Sequence, residues 1–143
     1  MKTREKILAG VIITLVMVGI VGYIKSVRAY LTPMTITRAG ITAGIEKRRF
    51  PMGQNITFWL ENNRNNTIYF GSPCPWHIEQ NVYGKWEVVF SFACAAVMVP
   101  FPPGETKTWA WDQRTFHTRA IPGVYRVVIR VSREEFYLPF NIG

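Results

Sequence analysis

Residues 121–131 read Ile-Pro-Gly-Val-Tyr-Arg-Val-Val-Ile-Arg-Val, and this stretch decides the fold class. Tyr125, Val127, Ile129 and Val131 alternate with Arg126 and Arg130. That is the period-two pattern of a strand with one face buried and the other wet. Pro122-Gly123 ahead of it is a turn signal. Gly123 stands two residues before Tyr125, at the start of the most apolar strand, which is where a phenol ties back onto loop backbone as a tyrosine corner.

Working outward, no segment after residue 30 shows a 3.6-residue period; short alternating runs separated by turn residues recur instead. Residues 136–142 close the chain, with Pro139 suited to an edge strand. Upstream, residues 106–111 place Trp109 and Trp111 on one face, after a rigid bend at Pro100-Phe101-Pro102-Pro103-Gly104. Ile56, Phe58 and Leu60 alternate with Thr57, Trp59 and Glu61, and an Asn-rich turn at 62–66 follows. Residues 41–47 and 67–71 supply further strands. Eight or nine strands in about 110 residues make the fold class all-β, an Ig-like antiparallel β-sandwich. A high aromatic content, 14% with five Trp, suits a sandwich whose few inward positions hold large side chains.

The two cysteines, Cys74 and Cys94, lack CxxC spacing and read as a disulfide rather than metal ligands. A hairpin turning at Tyr83-Gly84-Lys85 would set Ile78 against Phe90, Trp76 against Phe92 and Cys74 against Cys94. In that register Trp86, Val88, Phe90 and Phe92 form one apolar face. Pro73 and Pro75 place Cys74 near a loop.

At the other end of the chain, Lys2, Arg4 and Lys6 precede an uncharged 18-residue run from Ile7 to Ile24. Residues 1–6 read as a cytoplasmic basic segment, 7–24 as a transmembrane helix, 25–40 as a spacer whose Thr-rich part 31–40 could also add an extra edge strand, and 41–143 as the sandwich domain. An 18-residue run just spans a hydrocarbon core of about 30 Å at about 1.5 Å per residue. The basic start favours an inside N-terminus and a domain outside the cell membrane, single-pass. Two alternatives stay open: a cleaved signal peptide, which would leave the domain secreted, and a pilin-like subunit processed at Ala9-Gly10.

The net charge of +8 divides equally between residues 1–30 and the domain, which holds twelve Lys/Arg and eight Asp/Glu. Only Lys47, Arg48 and Arg49 cluster, and without a stripe or motif the chain is not expected to bind nucleic acid.

The run Pro102-Pro103-Gly104-Glu105-Thr106-Lys107-Thr108-Trp109-Ala110-Trp111-Asp112-Gln113, followed by Ile121-Pro122-Gly123-Val124-Tyr125-Arg126-Val127, resembles the BsuPI family. Gly53, Ile56-Thr57-Phe58 and Asn62-Asn63 fit the same family pattern. The resemblance spans about residues 40–132 and implies an Ig-like sandwich and proteinase inhibition, the activity of the family's namesake from bacilli. That namesake is intracellular, whereas this chain carries an apolar N-terminal segment and a cysteine pair. Each matching position also has a structural use: turns at Gly104 and Gly123, packing by Trp109 and Trp111, loop capping by Asp112.

Chemistry is sparse. His77 falls on the polar face of its strand, His117 lies in a loop, and neither stands beside a nucleophile motif, so no catalytic residue is expected. Cys94 and Met98 have no histidine near them to build a copper site, so neither metal nor other cofactor is expected. Candidate contact residues are Trp59, which faces away from Phe58 and Leu60, and Phe101, Arg114, His117 and Arg119 in the long loops. The expected function is that of a non-catalytic, membrane-anchored Ig-like domain with an unidentified protein partner at the cell surface. Proteinase inhibition through Arg114 or Arg119, sugar stacking on Trp59 and a pilin-like role are the alternatives.

Overall fold

The computed structural model describes residues 2–143, with side chains from residue 6 onward. Met1, and the side chains of the basic residues Lys2 and Arg4, therefore lie outside the description. Two compact units divide the chain between Thr32 and Pro33.

The first unit is helix α1 (Lys2–Leu31). Its segment Lys6–Leu31, 26 residues with a mean hydropathy of 2.6, is long and apolar enough to cross a membrane. The helix outruns the expected span of 7–24, because nothing between Lys25 and Leu31 breaks it. It stops where Pro33 removes an amide donor and restricts the residue before it. Thr32 closes the last turn, its amide donating to the Arg28 carbonyl at 3.1 Å and its Oγ1 to the Ala29 carbonyl at 3.2 Å.

The expected spacer 25–40 is thus divided between two structures. Residues 25–31 are helical, and Met34–Arg38 is the first strand, β1, antiparallel to β2 (Ile41–Ile45). Between them Ala39 (φ 50°) and Gly40 (φ 72°) form a two-residue turn with both φ positive. That turn type matches the twist of a hairpin. Met34 and Ile36 pack against the core, so the domain begins at Pro33 rather than residue 41.

The remaining strands are β3 (Arg49–Phe50), β4 (Ile56–Asn62), β5 (Ile68–Phe70), β6 (Trp76–Val82), β7 (Lys85–Ser91), β8 (Val99–Phe101), β9 (Thr106–Trp111), β10 (Gly123–Val131) and β11 (Glu134–Ile142). One sheet runs β1-β2-β4-β9, a second runs β3-β11-β10-β6-β7, and β5-β8 form a short pair. All pairings are antiparallel except β3 with β11. The β3 pairing reaches only Asn141 and Ile142, which leaves Pro139 on the open stretch of β11.

The inner faces read directly from the alternation. Ile56, Phe58 and Leu60 from one sheet, and Tyr125, Val127 and Ile129 from the other, are fully buried. Large rings fill the space between: Phe58 meets Trp76 edge to face at 4.9 Å, and Tyr125 stacks on Phe140 at 5.8 Å. The Tyr125 hydroxyl donates to the Ile121 carbonyl at 2.8 Å. Burial pushes its pKa up, and the bond to Ile121 only partly opposes that.

Two buried amides fasten the loops. Gln113 Nε2 donates to the carbonyls of Pro51 and Gln54 at 2.9 and 2.8 Å, while its Oε1 accepts the Gly53 amide at 2.8 Å. Asn62 Nδ2 donates to the Phe101 and Asn66 carbonyls at 2.8 and 3.1 Å. Such buried polar groups are tolerated because their hydrogen bonds are satisfied.

Candidate functional site

The strand β7 is one edge of the larger sheet, and the surroundings of that edge form the candidate contact surface. The β6–β7 hairpin turns on Tyr83 (φ 50°) and Gly84 (φ 85°), with Asn81 Oδ1 accepting the Gly84 amide at 2.9 Å. Near the disulfide the register is the expected one, with Ile78 opposite Phe90 and His77 opposite Ser91. A bulge then intervenes, so that Glu79 faces Val88 and Asn81 faces Trp86. Trp86 and Val88 therefore lie on the outer face, not on the core face that a single register assigns them. The extra residue is Val89, which packs toward the core together with Phe90.

On that outer face Arg126 lies between two rings, its Cζ 4.1 Å from the centroid of Trp86 and 4.4 Å from that of Tyr137. Its Nε pairs with Glu79 Oε2, and His77 Nε2 lies 3.0 Å from Glu79 Oε1. Burial opposes ionisation of Glu79, yet the hydrogen bonds from His77 and Arg126 outweigh it and hold the carboxyl below its usual pKa. Next to this network lies a groove of about 530 Å³ lined in part by Ser72, Cys74, His77, Val88 and Arg130.

The disulfide Cys74–Cys94, with Cα atoms 6.0 Å apart, ties the entry of β6 to the exit of β7. Around its Cys94 end, residues 92–98 read Phe-Ala-Cys-Ala-Ala-Val-Met, all exposed and none charged. Phe92 is 50% exposed, Val97 54% and Met98 65%. Composition alone hides this feature, because an uncharged run beside a strand reads as more strand; only its lack of pairing partners exposes it.

On the far side of β7, loop 112–122 is well organised. Arg114 and Arg119 face each other in a bridge, and the Thr115 amide donates to the Thr118 carbonyl at 2.8 Å. Asp112 Oδ1 accepts the Arg114 amide at 3.1 Å. The Phe116 amide donates to the Val89 carbonyl at 2.9 Å, so the loop grips β7 at the bulge itself. Arg114, Phe116, His117 and Arg119 are exposed.

Two of the sequence candidates have other roles. Phe101, expected at a contact surface, is fully buried and stacks on Phe70 at 5.0 Å, because pairing of β8 with β5 turns it inward. Trp59 does face outward, but its indole lies across Gly44 on the neighbouring strand, where a Cβ would overlap the ring. One face of the indole is thereby covered by its own sheet. The structure brings Arg114, His117 and Arg119 together in one loop and leaves Trp59 on the other sheet.

Two packed sheets, a tyrosine-corner hydrogen bond and an inter-strand disulfide outline the architecture, and residues 37–141 match the family of bacterial Ig-like domains. The chain belongs to that family. No curated protein matches its sequence significantly. Among solved structures, this bacterial Ig-like domain protein is similar to Pseudomonas fluorescens alkylpurine DNA glycosylase AlkC bound to DNA containing an abasic site analog. The identity is 17% and the TM-score 0.45, covering 75% of this chain and 31% of that one. It is also similar to a β-glucosidase from Listeria innocua in complex with gluconolactone, at 13% identity and a TM-score of 0.42, covering 78% of this chain and 16% of the other. The chain spans less than a third of either protein.

Proposed function

We propose that this bacterial Ig-like domain is held at the outer face of a cytoplasmic membrane by α1 and acts through protein contacts, without catalysis. The observation that carries this reading is the exposed, uncharged segment 92–98 pinned beside the β7 edge. Contiguous exposed apolar surface and unpaired strand edges are the features that partner proteins cover. A disulfide fits an oxidising compartment, in line with a domain outside the cell. A photo-crosslinking residue at Met98, in the full chain in native membranes, is expected to give a discrete adduct that Val97→Asp abolishes. Absence of any adduct, or one unaffected by Val97→Asp, would remove this reading.

A second reading, BsuPI-like proteinase inhibition, is favoured by one feature, the organised 112–122 loop with Arg114 and Arg119 exposed side by side. Trypsin-like and subtilisin-like proteases mixed with micromolar protein test it, and unchanged rates would rule it out.

A further inference from the structure

The strand registers identify the end of the sandwich at which the chain enters. Met34 lies opposite Ile45, Ile45 opposite Phe58, and Ile56 opposite Trp111, so the β2–β3 link and loop 112–122 share that end. In the other sheet Phe50, Ile142 and Gly123 fall in line, and Gly123 adjoins Gln80, which carries the Tyr83-Gly84 turn to the same end.

This end gathers Lys47, Arg48, Arg49, Lys85, Arg114 and Arg119 against Glu46, Glu87 and Asp112, six of the domain's twelve cations with three of its eight acids. Asp112 is already engaged by Arg114 at 3.1 Å. Among the cations sit exposed apolar tips: Tyr83 projects wholly into solvent, and Met52 and Phe116 are 61% and 53% exposed. The opposite end is nearly balanced, five cations to four acids, with Lys107 paired to Glu105 and Arg130 to Glu135.

We propose that the Met34 end of the sandwich docks on an anionic bilayer, its cations on headgroups and its aromatic tips in the interface; this rests on reading α1 as a membrane anchor. Only Thr32 and Pro33 separate α1 from β1, and two residues reach about 7 Å at most. So short a tether keeps the local bilayer concentration high. A cation is attracted to a charged surface within about a Debye length of it. Each one near such a surface raises association by about fivefold. Interfacial aromatics add the second half of the signature. A loop 112–122 laid on headgroups is not free to enter a protease, so docking also disfavours the inhibitor reading.

Among the described residues, every buried core residue, from Ile41 to Ile142, lies in the domain 33–143, which is the proper probe. It is expected to sediment with vesicles containing phosphatidylglycerol at low salt, to be released by high salt, and to ignore vesicles of phosphatidylcholine alone. Arg48→Glu with Arg49→Glu should lower binding by about tenfold or more, whereas Arg133→Glu at the opposite end should leave it unchanged. Excess soluble glycerol phosphate should not compete, which separates a bilayer from a free phosphate. No binding to the anionic vesicles, equal binding to neutral ones, competition by glycerol phosphate, or equal loss with Arg133→Glu would overturn the proposal. Alkaline extraction of the full chain from membranes reads the anchor separately. Release there would remove the anchor while leaving the vesicle result to stand; retention without vesicle binding would overturn docking alone.

Discussion

Strands β10 and β7 are both apolar and belong to the same sheet, yet they use their residues differently. In β10 the inward set Tyr125, Val127, Ile129 and Val131 is buried without a break and Arg130 is exposed, although Val128 on the other face is buried as well. In β7 the sequence Val88-Val89-Phe90 puts apolar groups on both faces, a bulge takes up Val89, and Val88 is left 48% exposed. The difference follows from neighbours. Strand β10 pairs on both sides, with β6 and β11, so a slip would break two ladders at once. Strand β7 has a partner on one side only, and a bulge there costs one local irregularity. Rigid core and adaptable edge are thus set by position in the sheet more than by composition.

The sharpest test of that contrast is truncation in the centre. Ile129→Ala is expected to lower unfolding free energy by about 2–5 kcal/mol in denaturant titration, because the cavity forms where both sheets hold their shape. Opening the disulfide with Cys74→Ser and Cys94→Ser together should cost about 3 kcal/mol, mostly by freeing the unfolded chain. The same change should raise proteolysis within residues 92–98 before any loss at β10. Tyr125→Phe, which deletes only the hydroxyl bonded to Ile121, should cost about 1 kcal/mol.

Acid probes the outer face, with a smaller effect. Glu79 titrates below its ordinary value of 4.5 in the folded protein, so its contribution is present above that value and is lost as pH falls through the lowered one. Melting temperature should fall from pH 5 to pH 3, less steeply in Glu79→Gln than in the parent. Smallest of all, Val88→Ala is expected to stay within about 0.5 kcal/mol. A loss near that of Ile129→Ala would break the contrast between centre and edge.

Much of the sandwich was legible because a strand buried on one face must alternate. The inward sets of β4 and β10, the Cys74–Cys94 pair and the position of the tyrosine corner all came from that rule and from spacing. The bulge at Val89 was not legible, since two adjacent valines are compatible with either register. The strand β1 was legible only as the alternative to a spacer over residues 31–40. Its Thr-rich sequence carries only Met34 and Ile36 inward, and its turn places an alanine, not the usual Asn or Asp, at positive φ. Phe101 misled for the converse reason: prolines on both sides suggested an exposed bend, and pairing with β5 buried the ring.

By itself, then, the order of residues determined an apolar helix, a β-rich domain and which side chains of its central strands point inward, because each of these is a periodicity over a few neighbouring residues. Only the tertiary structure decided which strand lies at the edge, where Trp59 and Phe101 rest, that residues 92–98 stay uncovered and that six cations converge at the Met34 end. Those facts depend on pairings between residues tens of positions apart, which no local period encodes.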